Sequence, residues 1–185
     1  MKTNTRFILL TCLLLCFYAC DRKPYPQSLI IADSLASIQP DSAITLLKTL
    51  EDNIKTESES TQMYYRLLCI KANDKAYIRH TSDSLILPIL HYYIKKEDEK
   101  HLPEAYYYAG RVYRDLGDAP QALDYFEKSL ETLPKNKKHK LKSYIYSQMG
   151  TLFLYQGLYN EALEIFKKKY ACDIDLKDSV GIIYT

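Results

Sequence analysis

The chain has 185 residues, of which 47% are hydrophobic and 26% charged, an ordinary composition for a folded soluble protein. Glycine (5) and proline (7) are scarce, which argues against the many tight turns of an all-β fold. The formal net charge is +2, but Lys2 and Arg6 lie in an N-terminal segment expected to be removed, leaving 23 basic and 23 acidic residues. That balance gives no electrostatic support for nucleic acid as a partner.

Residues 1–19 have the pattern of a secretory signal peptide. After two basic residues, an uncharged apolar run covers 7–19, and its 13 residues are too few to span a bilayer. The small residue Ala19 stands directly before Cys20, and the segment resembles a bacterial lipoprotein signal peptide. This resemblance implies that Cys20 becomes an acylated N-terminus and that residues 20–27 form a lipidated tether. It also implies a lipid-anchored protein in the cell envelope of a Gram-negative-type bacterium, at the outer membrane or the periplasmic face.

Cysteine usage agrees with this interpretation. Of the five cysteines, two precede Cys20 and would leave with the signal peptide. Cys69 and Cys172 lie in apolar helical runs, which indicates two buried free thiols rather than a disulfide. No Cys/His cluster has metal-ligand spacing, so no metal site is expected. An ordinary signal peptide or an uncleaved anchor is the alternative for the N-terminal segment.

Between residues 28 and 102 the chain alternates amphipathic helical runs with short breaks, and we interpret this range, 28–102, as divergent helix pairs. Asp41 or Ser42 is expected to cap the second helix, and Pro88 to lie in the first turn of a later helix or to kink it. Period-2 apolar patterns bounded by hairpin turns are weak throughout. The sequence therefore predicts an all-α fold.

Two later segments, 103–136 and 143–176, share one skeleton of small and aromatic residues. The shared positions, 40 residues apart, are Gly110 and Gly150, Tyr113 and Phe153, Gly117 and Gly157, Ala122 and Ala162, and Phe126 and Phe166. Small residues at two of these positions let the helices of one unit approach closely, and rings fill the space beside them. The second glycine of each copy closes the first helix in a left-handed conformation. A catalytic motif is needed once and a building block many times, so the repetition indicates architecture.

This skeleton resembles the tetratricopeptide repeat, whose signature W-x₂-L-G-x₂-Y…A-x₃-F…P lies on a helix–turn–helix unit. In the first copy Tyr106 takes the place of the Trp and Pro134 matches the proline, whereas in the second copy Ile174 stands where proline would be. The resemblance implies a tetratricopeptide-type helical-repeat solenoid of antiparallel helix pairs. Residues 177–185 look like the start of a further, truncated repeat, which suggests a fragment of a longer protein.

The sequence carries no signature of catalysis. It has no nucleophile elbow, P-loop, Rossmann glycine pattern or zinc-protease motif, and its four histidines are scattered. We therefore expect a protein that is not an enzyme, with no catalytic residue, no cofactor and no bound metal. The lysine-rich stretch 135–142 is interpreted as a solvated turn rather than a nucleic-acid or anionic-lipid site, because no aromatic residues interleave with its lysines.

In the family that the chain resembles, partners bind to the concave face of the superhelix, which is built mainly from the first helix of each pair. Turn-spaced residues on that face form the expected groove: Tyr107, Arg111, Arg114, Tyr144, Thr151 and Tyr155. Arg111 and Arg114, at positions i and i+3, would hold a carboxylate of an incoming peptide. The tyrosines would offer flat amphipathic contacts.

These observations favour a membrane-tethered, non-catalytic scaffold that binds a protein or peptide ligand on its concave face and the membrane through its lipid anchor. One alternative is the extracytoplasmic sensor part of a longer membrane-bound signalling or transcription-regulating protein. A second alternative is a glycan-binding surface lipoprotein, which would need exposed aromatic residues on loop insertions.

Overall fold

The computed structural model describes residues 25–135 and 138–183. The expected signal peptide, Cys20 and the first part of the tether lie outside these ranges. Within them the chain forms nine α-helices and no strand, which confirms the all-α fold class. The helices are α1 (Gln27–Ile38), α2 (Pro40–Ile54), α3 (Glu59–Lys75), α4 (Ile86–Lys95), α5 (Leu102–Leu116), α6 (Ala119–Thr132), α7 (Lys140–Tyr155), α8 (Tyr159–Leu176) and α9 (Ser179–Ile183). None of these described helices is both long and apolar enough to cross a bilayer.

The odd-numbered helices α1, α3, α5 and α7 lie side by side in one layer. Lys71 of α3 binds Asp33 of α1 at 2.7 Å and Glu104 of α5 at 2.8 Å. Further along the same two helices, Asp74 of α3 contacts Arg111 of α5 at 2.6 Å. Contacts that advance in the same direction along both helices require α3 and α5 to run parallel.

Each even-numbered helix up to α8 folds back against the odd-numbered helix before it. In the α5–α6 pair, Ser129 near the end of α6 donates a hydrogen bond of 2.6 Å to the carbonyl of Pro103 at the start of α5. The rings of Tyr113 and Tyr125 lie 5.3 Å apart in the same pair. Antiparallel pairs that stack with their first helices in one layer form the helical-repeat solenoid expected from the sequence.

Two hydrophobic clusters hold the helices together, and α3 contributes to both. The first cluster lies between α1, α2 and one side of α3, which supplies Tyr64, Leu68 and Ala72. The second cluster extends from α3 to α7 and takes Leu67 and Ile70 from α3. Because α3 is buried on two sides, its apolar residues do not form one stripe along the sequence.

The two best-packed pairs are built around a glycine that faces an aromatic ring. A Cβ atom at Gly110 would lie 2.5 Å from Cε1 of Phe126, and one at Gly150 would lie 2.7 Å from Cε1 of Phe166. Both distances are well inside van der Waals contact, so a larger residue fits only if the ring moves. Gly117, with φ of 87°, ends α5 in the left-handed conformation expected from the sequence.

Two helix starts bear on the expectations from the sequence. α2 begins at Pro40 with Gln39 as its cap, so the expected cap at Asp41 or Ser42 is wrong. The ring of Pro40 presets φ for a first helical residue, and Asp41 then lies in the first turn, where its charge favours the helix dipole. Pro88 lies in the first turn of α4, one of its two expected positions.

Replacing Gly110 by alanine is expected to destabilise the protein. The new methyl group would meet the ring of Phe126, which is completely buried and has no space to move into. Overpacking of this kind costs about 1–3 kcal/mol, which is offset in part by the gain of up to about 1 kcal/mol in helix propensity. Urea unfolding followed by far-UV circular dichroism measures the change.

The matched control combines Gly110→Ala with Phe126→Leu, whose smaller side chain makes room for the methyl group. The double variant should lose less stability than the two single variants added together, because the two sites are coupled. Single losses that simply add would show that this ring and this glycine do not determine the helix spacing.

Candidate functional site

A cavity of about 490 Å³ lies between α3, α5 and α7. Its volume is within the range of about 300–1,000 Å³ that ligand pockets occupy in proteins. Aromatic, cationic and acidic side chains line it together, including Lys71, Lys75, Glu104, Tyr107, Tyr108 and Tyr144. Because three odd-numbered helices contribute, the cavity depends on the stacking of the pairs rather than on one helix.

Three tyrosines supply the aromatic part of the lining. Tyr107 and Tyr108 are each 2% exposed, and their rings lie 5.0 Å apart. Burial raises the pKa of both phenols, so they stay protonated at neutral pH. Tyr144 is 37% exposed. Of the three, Tyr144 therefore offers the largest accessible ring to a ligand.

Lys71 connects three helices from the wall of the cavity. Its Nζ atom contacts a carboxylate oxygen of Asp33 in α1 and one of Glu104 in α5. Burial opposes the charge of Lys71, but the two carboxylates outweigh burial and raise its pKa. Lys71 is therefore neutralised by the acids of its own chain, and its role is to hold the layer together.

Lys75, one helical turn further along α3, has no such acid. Its Nζ atom lies 4.7 Å from the centroid of the Tyr144 ring, and it forms no hydrogen bond or ion pair with any described residue. Burial lowers the pKa of Lys75; Asp74 opposes this effect, while Arg111 and Lys71 add to it. A carboxylate that enters the cavity would relieve this repulsion and form a charge-assisted hydrogen bond.

The arginines expected to clamp a peptide carboxylate are already engaged inside the chain. Nη2 of Arg111 lies 2.6 Å from Oδ1 of Asp74, and the two side chains are only 12% and 2% exposed. Nη2 of Arg114 lies 2.7 Å from Oδ1 of Asp115, and the same guanidinium group donates to Gln148 of α7. Both groups bind internal partners, in disagreement with the free clamp expected from their spacing.

The six expected groove residues do not come together in one place. Tyr107 and Tyr144 line the cavity, but Tyr107 is buried rather than exposed because it packs into the second hydrophobic cluster. The hydroxyl of Thr151 donates a hydrogen bond to the carbonyl of Ser147. Tyr155 is 82% exposed at the end of α7. Neither of these two lines the cavity. Their part in partner binding stays a prediction.

The groove expected from the sequence omits Lys75 and Tyr108, although both line the cavity. Lys75 belongs to α3, which lacks the repeated skeleton, so no sequence pattern aligned it with α5. The spacing of Lys71 and Lys75, four residues apart, was the available signal, because it puts two lysines on one helix face. Tyr108 directly follows Tyr107, and the sequence does not reveal that the cavity reaches both rings.

Asp74 depends on Arg111 for the stability of its charge. Burial raises the pKa of Asp74, and Arg111 is the strongest of the cations that oppose this rise. Neither carboxylate oxygen accepts a hydrogen bond from the described residues, so the ion pair with Arg111 is the principal stabilising contact of this carboxylate. The pair therefore ties α3 to α5 behind the cavity.

Replacing Arg111 by methionine is expected to destabilise the protein by about 3–5 kcal/mol at neutral pH, because the buried carboxylate loses its partner. The pKa of Asp74 then rises further above its ordinary value of 3.8. A carboxyl group with a raised pKa in the folded state is unfavourable there only when it ionises, so the loss shrinks as the pH falls to about 4. Urea unfolding at the two pH values measures this dependence.

Lys128→Met is the matched control. Lys128 pairs with Asp124 on the surface of α6, where both side chains are 45% exposed. Exposed pairs of this kind contribute about 0–1 kcal/mol, so this variant should stay close to wild-type stability at both pH values. Similar losses in the two variants, or a loss in Arg111→Met that ignores pH, would rule out the assigned role of the Asp74 pair.

The helix pairs built around glycine lie in a segment that matches a known family. Residues 101–173, less than half of the 185 residues, match the family model of the tetratricopeptide repeat. The match covers α5, α6, α7 and most of α8. No curated protein and no solved structure matches the chain. Residues 101–173 are therefore similar to tetratricopeptide repeats in sequence, and their antiparallel helix pairs have the fold expected of that family.

Proposed function

We propose that the chain is a lipid-anchored scaffold of the cell envelope that binds a peptide segment of a partner protein in the cavity between α3, α5 and α7. The match to tetratricopeptide repeats supports an interaction module, since repeats of this family present extended binding surfaces to other proteins. The observation that carries the proposal is Lys75, a cation of the cavity that has no acidic partner among the described residues.

Recognition combines one charged contact with aromatic contacts. An Asp or Glu side chain of the peptide pairs with Lys75 beside the Tyr144 ring, in a partly buried position where salt screens the pair weakly. Tyr144, the accessible ring of the lining, contacts the apolar side chains next to that acid. Glu104 repels the acid only weakly, because Lys71 already neutralises it at 2.8 Å.

The proposal assigns no chemical step to the cavity. Tetratricopeptide repeats are in general interaction modules rather than enzymes. Among the residues that the structure describes, no group of three or more His, Cys, Asp or Glu side chains could hold a metal ion. The ammonium group of Lys75 and the accessible ring of Tyr144 are suited to holding a ligand, and we expect the bound peptide to be released chemically unchanged.

The anchor in this proposal is an acyl group on Cys20. The described chain begins at Tyr25, whose ring stacks on that of Tyr64 with 4.2 Å between the centroids. Tyr64 lies near the start of α3, so Tyr25 lies at the edge where the odd-numbered helices begin. Several acyl chains on one cysteine hold a protein to a bilayer durably.

A phage-displayed library of random dodecapeptides tests the cavity. Selection on the wild-type chain should enrich peptides that carry an Asp or Glu next to apolar residues. Lys75→Gln removes the charge and keeps most of the side-chain length, so it should weaken the selected peptides about tenfold, or about 1.4 kcal/mol. Fluorescence anisotropy with labelled peptides measures the affinities.

Lys168→Gln is the control for this experiment, because Lys168 is exposed on α8 away from the cavity. Its affinity for the same peptides should equal that of the wild type. The cavity is not the binding site if Lys75→Gln binds as tightly as the wild type. The interaction function itself fails if no peptide is enriched.

Expression in a Gram-negative host supplied with radiolabelled palmitate tests the anchor. Cys20→Ser should abolish incorporation of the label and move the protein from the membrane pellet to the soluble fraction. Cys69→Ser and Cys172→Ser, which replace the two free cysteines of the described helices, should change neither property. Label on the Cys20→Ser chain contradicts the proposed site, and retention in the pellet without label indicates an uncleaved anchor instead.

A further inference from the structure

A second cavity, of about 250 Å³, lies between the loop after α6, the start of α7 and the end of α8. Its basic side chains are Lys135, Lys138, His139 and Lys142. The acidic residue of the lining is Asp175. Three ammonium groups and one carboxylate give this cavity, which we call the lysine cavity, an excess of positive charge, and the imidazole adds a hydrogen-bonding group. The sequence alone indicated only a solvated turn for this stretch.

The lysines of this cavity form no ion pair with the acids of residues 25–135 and 138–183. Lys135 forms no hydrogen bond or ion pair with any described residue, and Lys142 contacts the Tyr146 ring, with 6.0 Å between its Nζ atom and the ring centroid. Lys138 donates to the backbone carbonyl of Asp175 rather than to its carboxylate. Ammonium groups that share a small volume repel one another, and an anion among them converts this repulsion into attraction.

Some lysines elsewhere on the surface have a local acid. Lys55, Lys128 and Lys167 each pair with an acid three or four residues away on the same helix or its end, at 2.6–2.8 Å. The lysine cavity differs because three ammonium groups, none of them paired with a carboxylate of the described residues, line one small volume.

The start of α7 strengthens the positive field. His139 precedes the helix, and its Nδ1 atom accepts a hydrogen bond of 3.3 Å from the backbone N–H of Leu141, which leaves Nε2–H as a donor. α7 has no acid in its first turn, as is also true of α1, α4 and α6. The positive end of the α7 dipole is thus uncompensated beside the lysines.

We propose that the lysine cavity binds a phosphoryl group, carried either by a soluble phosphate ester or by a phospholipid headgroup. The oxygens of a phosphate accept hydrogen bonds from several directions, and three ammonium groups and an imidazole line this cavity as donors. A volume of about 250 Å³ also leaves room for a short carbon skeleton, such as glycerol, beside the phosphate.

The place of the cavity in the fold makes a lipid headgroup a realistic source. The lysine cavity lies where α7 begins, at the same edge of the solenoid as Tyr25, the first described residue. A bilayer held by the proposed anchor on Cys20 would face this edge. This lipid source rests on the proposed function, whereas binding of a soluble phosphate ester does not.

Titration of the purified chain with glycerol 1-phosphate, followed by calorimetry, tests the site. A Cys20→Ser background removes the acyl group, so that any binding to lipid comes from the fold. We expect saturable binding that falls at least about tenfold in Lys135→Gln/Lys142→Gln. The control Lys95→Gln/Lys96→Gln removes the same charge from the end of α4 at the same edge, and it should stay within about twofold of wild type. All four lysines are exposed, and thermal unfolding checks that both variants fold.

Sedimentation with vesicles of phosphatidylglycerol, compared with phosphatidylcholine, separates the two sources. Binding to the anionic vesicles that is lost with Lys135→Gln/Lys142→Gln assigns the headgroup, and glycerol 1-phosphate binding without vesicle binding assigns a soluble ester. Equal losses in the two double variants, or no saturable binding of either probe, overturn the proposal. Peptides selected on the cavity of Lys75 should bind the Lys135→Gln/Lys142→Gln variant unchanged, so failure of this site is distinguishable from failure of the interaction function.

Discussion

The contact between a glycine and a phenylalanine ring sets the spacing of the best-packed helix pairs, and the rest of the structure depends on it. At Gly110 and Gly150 the opposite ring occupies the space of a Cβ atom. The helices α6 and α8 can then lie close against one side of α5 and α7. The other side of α5 and α7 stays free to pack laterally, and the cavity of Lys75 forms in that lateral layer. A wider pair would shift both helices and change the shape of the cavity.

Charged side chains determine how the layer is aligned. Lys71 connects α1, α3 and α5, and the Asp74–Arg111 pair repeats the connection further along. Buried ion pairs contribute little net stability after desolvation, but a wrong alignment would leave a charge without a partner, which is costly. These pairs therefore select one register among the several that apolar packing alone would accept.

The architecture of α5–α8 was predictable because its packing rule appears in the sequence twice. Both pairs need a glycine that faces a ring, so the same residue types recur at the same spacing. The repeat can therefore be recognised by comparing the two segments. The start of α2 was missed because Pro40 competes with Asp41 for the first position of the helix. The signal peptide and the lipidation of Cys20 lie outside the described residues and remain predictions.

The candidate site was less predictable, because its properties come from helices without a shared pattern. Arg111 is engaged by Asp74, which lies 37 residues earlier in a helix that lacks the repeated skeleton. Spacing alone therefore could not show that this arginine is occupied. Likewise, the lysines of 135–142 line a cavity only because the end of α8, with Asp175, returns beside them. Contacts between segments that are distant in the sequence depend on the path of the loops, which the local sequence does not predict.

Because α3 packs in both hydrophobic clusters, it affects how the helix array unfolds. Tandem helix arrays commonly fray unit by unit from an end, since each unit touches only its neighbours. Here Leu68 packs with α1 and α2, while the adjacent Leu67 packs with the central pairs. Detachment of the N-terminal pair would uncover half of α3 and loosen the helix that carries Lys75. Traction on the described N-terminal end would thus be transmitted through α3 to the cavity of Lys75.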